Sequence, residues 1–459
     1  MDFNYNVYEE WKLNLFRRVK KKFNNNETAK KVLANSTWLI SDKVFNLVIG
    51  VFVTALVARY FGPEQYGQFN YALAIVSLFT VLSTLGLEIL SVKTIIDKQY
   101  EEGTILCTSF LLRITGGLFL TLVSWFVIWI LEPRNVYLQV IVLIMSFSMV
   151  LRAFEVIEYW IQAHQKSKIS SLIRIVVSAI TALLKILLVC FGGDLVLFST
   201  IYTIDIAIIS VALIFAYIKY REERTSLKFS FKYAKEILSQ SWYLVLSGLM
   251  VSLYMRIDQI MLGTMLPNKD QLGIFSAAVR IAEMWYFVPM AIIVSLRPVI
   301  MKDKKIDNEK YINSVQKLYN IVTWTCLIFG FIILFSSKII INILYGKEYT
   351  EASGVLSISI WAGIFAMLGS ARGVWLVSEG LQKYSLAYIS VGCFVNISLN
   401  YFLIPSLGGY GAAIATLASQ FTVAIVAPLF FKPTRISSIM MLRAFNLKRL
   451  LGSYINKQG

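Results

Sequence analysis

Apolar runs of about 18 to 25 residues recur along nearly the whole of this chain, and that one feature fixes its solvent. Each run is long enough to cross the hydrocarbon of a bilayer as a helix. The composition agrees, with 57% hydrophobic residues and a mean hydropathy of +0.65 over 459 residues. The pattern therefore predicts an all-α polytopic membrane protein of about 12 crossings, with no room for a large soluble domain. GxxxxGK[ST] is absent, and the polar connections are too short to build the strand, turn and helix that a phosphate cradle needs, so ATP hydrolysis is not expected.

The formal charge of +17 fits the same environment. A soluble basic domain that binds nucleic acid would not carry so much apolar sequence, so the excess Lys and Arg read as anchors on the cytoplasmic side and no nucleic-acid partner is expected. With both termini placed in the cytoplasm, the interior segments hold about 30 basic residues. The exterior segments hold only Arg59, Arg134, Lys269, Lys338 and Lys347. This bias favours an even number of crossings. Cys107, Cys190, Cys326 and Cys393 are scattered through apolar runs with no CxxC, and His164 is the one histidine. Neither a metal site nor a cofactor is expected.

Internal repetition organises the chain. The stretch WLISDKVFNLVIGVFVTALVARYFGPEQYGQFNYA from Trp38 is laid out like the one from Trp242: Trp38 to Pro63 has the separation of Trp242 to Pro267, and GQFNYA at Gly67 is answered, two residues late, by GIFSAA at Gly273. Two lobes follow, of six crossings each and related by an axis along the membrane normal. The expected divisions are a basic amphipathic segment at 1–34, an N-lobe at 35–217, a basic linker at 218–238, a C-lobe at 239–431 and a basic cytoplasmic tail at 432–459. Trp11, Leu15, Val19 and Phe23, spaced by four beside a run of Arg and Lys, suit a helix lying on membrane lipids.

Charges inside the crossings are the candidate functional residues, because a charge at that depth faces protein or a watery cavity. Arg256 and Arg280 lie on either side of the turn between crossings 7 and 8, each seven residues in, which puts both about 10 Å below the outer surface. Two arginines at one depth suit a phosphate, since the planar fork donates bidentately and stays charged in low dielectric. The alternative is local pairing, of Arg280 with Glu283 and of Arg256 with Asp258. The repeat-equivalent positions are Phe52 and Ala74, so these charges belong to one lobe only. Lys43 is deep enough for a second phosphate contact. Asp42, Arg152, Glu155, Glu158, Asp258 and Glu283 are candidates for lining a cavity or coupling to a cation.

The segment from Trp38 to Glu88, above all ARYFGPEQYGQFNYA, resembles the bacterial polysaccharide exporters, the O-antigen and capsule repeat-unit flippases of the multidrug/oligosaccharidyl-lipid/polysaccharide superfamily. RIDQIMLGTMLPNKDQLGIFSAAVRIAE and YGAAIATLASQ are also similar to that family, and the likeness covers about residues 35 to 431. The resemblance implies a V-shaped bundle of the kind shared by the superfamily's multidrug antiporters and lipid-precursor flippases, working by alternating access. It implies a carrier, not an enzyme, in the bacterial cytoplasmic membrane. Its substrate would be an undecaprenyl-pyrophosphate-linked oligosaccharide, moved to the outer leaflet with H+ or Na+ coupling and in company with a polysaccharide polymerase and a chain-length regulator. Cationic cavity residues on crossings 1, 7 and 8 map onto Lys43, Arg256 and Arg280. A teichoic or teichuronic acid exporter, a peptidoglycan lipid-precursor flippase, a drug/cation antiporter and a membrane glycosyltransferase or polymerase remain the alternative readings.

Overall fold

A computed structural model describes residues 27–221 and 226–446, and every regular element among them is helical. Residues 1–26 of the amphipathic segment expected at 1–34 lie outside these residues, and 27–34 are the opening turns of the first helix. The N-lobe comprises α1 (Glu27–Ser83), α2 (Leu87–Ile96), α3 (Glu102–Leu131), α4 (Val136–Ala163), α5 (Ser167–Cys190) and α6 (Leu195–Tyr220). The C-lobe comprises α7 (Phe231–Met265), α8 (Asp270–Ile306), α9 (Asn308–Leu344), α10 (Ala352–Glu379), α11 (Lys383–Leu407), α12 (Gly409–Leu429) and the short α13 (Arg435–Ala444).

Eleven helical stretches among the described residues are long and apolar enough to cross a membrane. The first, Phe45–Ile96, holds 52 residues, more than twice what a single crossing needs. It is folded at Gly62, whose φ of 71° and ψ of 172° belong to a region that only glycine enters freely. Pro63 then opens the second arm, where its missing N–H costs nothing. Twelve passes result. Residues 63–68, read from sequence as a loop between crossings, are the first turns of that second arm.

The Gly62 kink and the turns near 132–135, 266–270 and 345–351 mark one face of the bundle, here the kink face. The 218–238 linker marks the other, the linker face. At the kink face the two lobes are stitched together. Glu64 Oε2 accepts from the Lys269 backbone N–H at 2.7 Å, Tyr71 and Thr264 share a hydroxyl hydrogen bond of 2.8 Å, and Tyr349 Oη donates to the Ala58 carbonyl at 2.9 Å. Lys269 is itself buried there, 2.8 Å from Glu132 and over the Tyr71 ring. The repeat-equivalent glycines meet across this seam. A Cβ on Gly67 would stand 1.8 Å from the Lys269 carbonyl oxygen, and one on Gly273 would stand 2.0 Å from that of Pro63.

The linker face is joined differently. The first turns of α7, read from sequence as linker, are helical from Phe231, and Tyr233 is buried against the N-lobe with its hydroxyl 3.3 Å from Ser91. Farther along, α7 turns its Asp258 end to α11 and α12. The linker-side half of α8 packs on α9 and α10. Among the described residues α7 is therefore the helix that binds the lobes together on this face.

Two local departures from α-geometry matter later. α4 tightens into a 3-10 turn at Arg152–Glu155, and α12 widens into a π-turn at Thr422–Val426. The tail read as cytoplasmic folds back as α13, with Ser437, Ser438, Met440 and Met441 buried in the C-lobe.

Candidate functional site

A cavity of about 740 Å³ lies between the lobes. Its N-lobe wall comes from both arms of α1 and from α5 and α6, and its C-lobe wall from α7, α8, α10, α11 and α12. From Tyr66 and Ser276 near the kink face it extends to Ser385 and Tyr388 toward the linker face. Gly369 and Gly373, one turn apart on α10, both line it, and a Cβ on either would meet nothing within 4 Å.

Four of the charges singled out in the sequence line this cavity: Arg256, Asp258, Arg280 and Glu283. Arg256 is half-buried, and its Nη1 donates to Gln259 Oε1 at 3.3 Å, one turn along α7. Arg280 is exposed to the cavity and faces Gly50 of α1, where a Cβ would come within 3.2 Å of the guanidinium. Neither arginine is in a salt bridge among the described residues. Glu283 lies within electrostatic reach of both without touching either. Most of their donors thus remain free for a ligand.

Asp258 has other business. Its Oδ1 accepts from Asn400 Nδ2 at 2.6 Å and its Oδ2 from Thr416 Oγ1 at 2.7 Å, while the same Asn400 amide also donates to Asn396 Oδ1 at 2.9 Å. Asn400 Oδ1 is buried with no partner. Carboxylate, amide and hydroxyl oxygens from α7, α11 and α12 thus converge in one buried cluster, a hard-oxygen donor set of the type that suits a small cation.

Arg152, Glu155 and Glu158 are not on the cavity wall. Glu155 bridges Arg113 at 3.1 Å and Arg152 at 2.8 Å, and Glu158 pairs with Arg174 at 2.6 Å and accepts from Ser170 at 2.9 Å. This network stands one layer behind the wall, and Tyr202, which does line the cavity, reaches Arg152. Asp42 is buried and accepts from Asn46 Nδ2 at 2.5 Å, outside the cavity lining. The Lys43 side chain lies outside the described residues.

Sequence reasoning did not single out Lys185 or Arg372, the other two charges that border the cavity. Lys185 of α5 is the charged side chain that the N-lobe wall presents among the described residues. It was visible only as one embedded charge among many, because a helix's rotation about its own axis is set by its neighbours. Arg372 also borders the cavity, but its guanidinium is consumed. It donates to the Val423 and Ala424 carbonyls freed by the π-turn and to Ser437 and Ser438 of α13.

Two lobes around a charged central cavity, shut at one face, make a fold that agrees with a solved one. The structure of the lipid II flippase MurJ in an inward closed conformation superposes with a TM-score of 0.69, at 16% identity, covering 92% of this chain and 93% of that one. Residues 32–304 match the polysaccharide biosynthesis protein family, and the chain belongs to it. Residues 244–402 also match the MatE family, which places the fold in the superfamily named from the sequence. The capsular polysaccharide biosynthesis protein CapF of Staphylococcus aureus is 22% identical over 87% of this chain and 99% of its own length. The "Probable low-salt glycan biosynthesis flippase Agl15" of Haloferax volcanii is 29% identical over 42% of each chain.

Proposed function

We propose that this protein carries a polyprenyl-pyrophosphate-linked oligosaccharide repeat unit from the cytoplasmic to the outer leaflet of a bacterial cytoplasmic membrane by alternating access. The observation that carries the reading is a cavity between two lobes in which, among the described residues, Arg256 and Arg280 are in no salt bridge. A pyrophosphate cannot enter hydrocarbon, whereas a watery cationic cavity lets its charge cross while the polyprenyl tail stays in lipid. The positive-inside bias makes the linker face cytoplasmic, so a headgroup loads from that side while the kink-face seam is shut. Family membership and the names of CapF and Agl15 support the glycan part of the reading. The protein acts as a transporter, not an enzyme, and hands its cargo to a polysaccharide polymerase and chain-length regulator.

Transport draws on an ion gradient, and the Asp258, Asn396, Asn400 and Thr416 cluster is where H+ or Na+ binds. A cation there changes the charge of a group that spans α7, α11 and α12, which is how an ion can bias the C-lobe between two arrangements.

The test is reconstitution in liposomes, reading exposure of a lipid-pyrophosphate-linked oligosaccharide in the far leaflet with and without imposed proton and sodium gradients. Gradient-stimulated exposure, lost on joint Arg256→Ala and Arg280→Ala replacement, is the expected result. Full transport by that double variant would sink the cationic site. Movement of small organic cations in place of the glycolipid would turn the assignment to a drug antiporter.

A further inference from the structure

We infer that Lys185 is the N-lobe half of a phosphate site that spans both lobes, and that Asp205 is the counter-charge it leaves when the headgroup binds. The inference rests on the carrier reading above and adds to it a residue and an exchange of partners.

The N-lobe cavity wall is built largely of aromatic and small polar side chains, with Lys185 as its charge among the described residues. The ammonium lies 5.7 Å from the centre of the Phe198 ring, which is itself packed edge-on against Phe69 with centroids 4.8 Å apart. An aromatic floor of this kind holds a cation without neutralising it. Lys185 is also within electrostatic reach of Asp205 on one side and of Arg280 on the other. Asp205 is not part of the cavity lining, and its Oδ1 is fixed by the Thr181 hydroxyl at 2.9 Å. Lys185 forms no salt bridge among the described residues, so its long flexible arm is not tethered.

Two arginines on the C-lobe and one lysine on the N-lobe thus border one cavity, with Glu283 near the arginines and Asp205 behind the lysine, and none of the three cations is in a salt bridge among the described residues. Like charges repel across an empty cavity and hold the walls apart. A diphosphate placed between them turns that repulsion into attraction on both sides, since one phosphate can take the arginine forks and the other the lysine. The lobes are then drawn together by their cargo at the face that α7 bridges. Specificity for pyrophosphate over monophosphate follows, because a single phosphate cannot satisfy both walls.

Binding of a polyprenyl pyrophosphate and of the matching polyprenyl monophosphate to the purified full-length protein in nanodiscs tests this. Lys185→Gln is expected to weaken pyrophosphate binding about 10- to 100-fold, the worth of one charge-assisted hydrogen bond, and to leave monophosphate binding nearly unchanged. Lys185→Arg restores the discrimination. Asp205→Asn is expected to tighten pyrophosphate binding several-fold, an effect of opposite sign that misfolding cannot mimic. Equal pyrophosphate affinity in wild type and Lys185→Gln overturns the inference and leaves the carrier reading standing, as does weakened binding in Asp205→Asn. A wild-type protein that binds neither lipid overturns both.

Discussion

Four arginines in this bundle differ in what their guanidinium groups touch, and the difference assigns their work. Arg113 is buried against Glu155 and the Tyr159 hydroxyl, and Arg372 is spent on two backbone carbonyls and the serines of α13. Arg256 and Arg280 keep donors in the cavity. Arg372→Met is therefore expected to lower thermal stability by about 3 kcal/mol, because the carbonyls released by the π-turn are left without donors; a melting curve of the purified protein checks it. Arg280→Ala changes little in that assay and instead weakens pyrophosphate-lipid binding about 10- to 100-fold. The matched depth of Arg256 and Arg280 beside one turn singles them out in the sequence, but nothing there shows that Arg113 and Arg372 are consumed by partners. Each sits in an apolar run, and the partner of Arg113 is 42 residues away while that of Arg372 lies 51 to 66 residues on.

At the scale of helices, periodicity and punctuation were legible and rotation was not. The crossings, the lobe repeat and the turn at Gly62-Pro63 all follow from apolar length and from glycine and proline chemistry. Helix ends in polar sequence were harder, since α7 and α9 extend toward the linker face through Tyr233 and Tyr311, whose burial depends on neighbouring helices. The tail's alternation of basic and apolar residues suits a surface helix, but the burial of α13 escaped for the same reason: SSIMMLRAF is too short to span, and only its contacts with Arg372 show that its serines point inward. The kink-face seam carries its own prediction. Gly67→Ala forces a Cβ against the Lys269 carbonyl, and overpacking of this kind costs about 1–3 kcal/mol. Placed on one of two states, that cost shifts their ratio about 5- to 150-fold toward a seam that has parted. Spin-label distances between α1 and α8 across the kink face would show the broadened population.

For the molecule as a whole, the seam that shuts the kink end predicts an accessibility pattern. In a background free of Cys107, Cys190, Cys326 and Cys393, cysteines at Gly369 and Gly373 fit without strain. Both are expected to react with a membrane-impermeant thiol reagent applied to the linker face and not to the kink face. Adding Gly67→Ala is expected to bring on labelling from the kink face. Asp258→Asn is expected to abolish gradient stimulation in liposomes while leaving pyrophosphate-lipid binding without a gradient intact, because its carboxylate is hydrogen-bonded to Asn400 and Thr416 and not to either arginine. Retention of gradient stimulation by that variant would move the coupling site elsewhere.

The glycine contacts at the seam have one further consequence. Gly67 and Gly273 are the same position in two copies of one unit, and each is held small by the backbone of the other copy. The closure is thus a palindrome: a bulkier residue at either letter is misspelled in both directions of reading, so neither half can drift there without spoiling the fit of its twin. A carrier assembled by doubling acquires in this way a door whose two leaves share a single pattern where they meet.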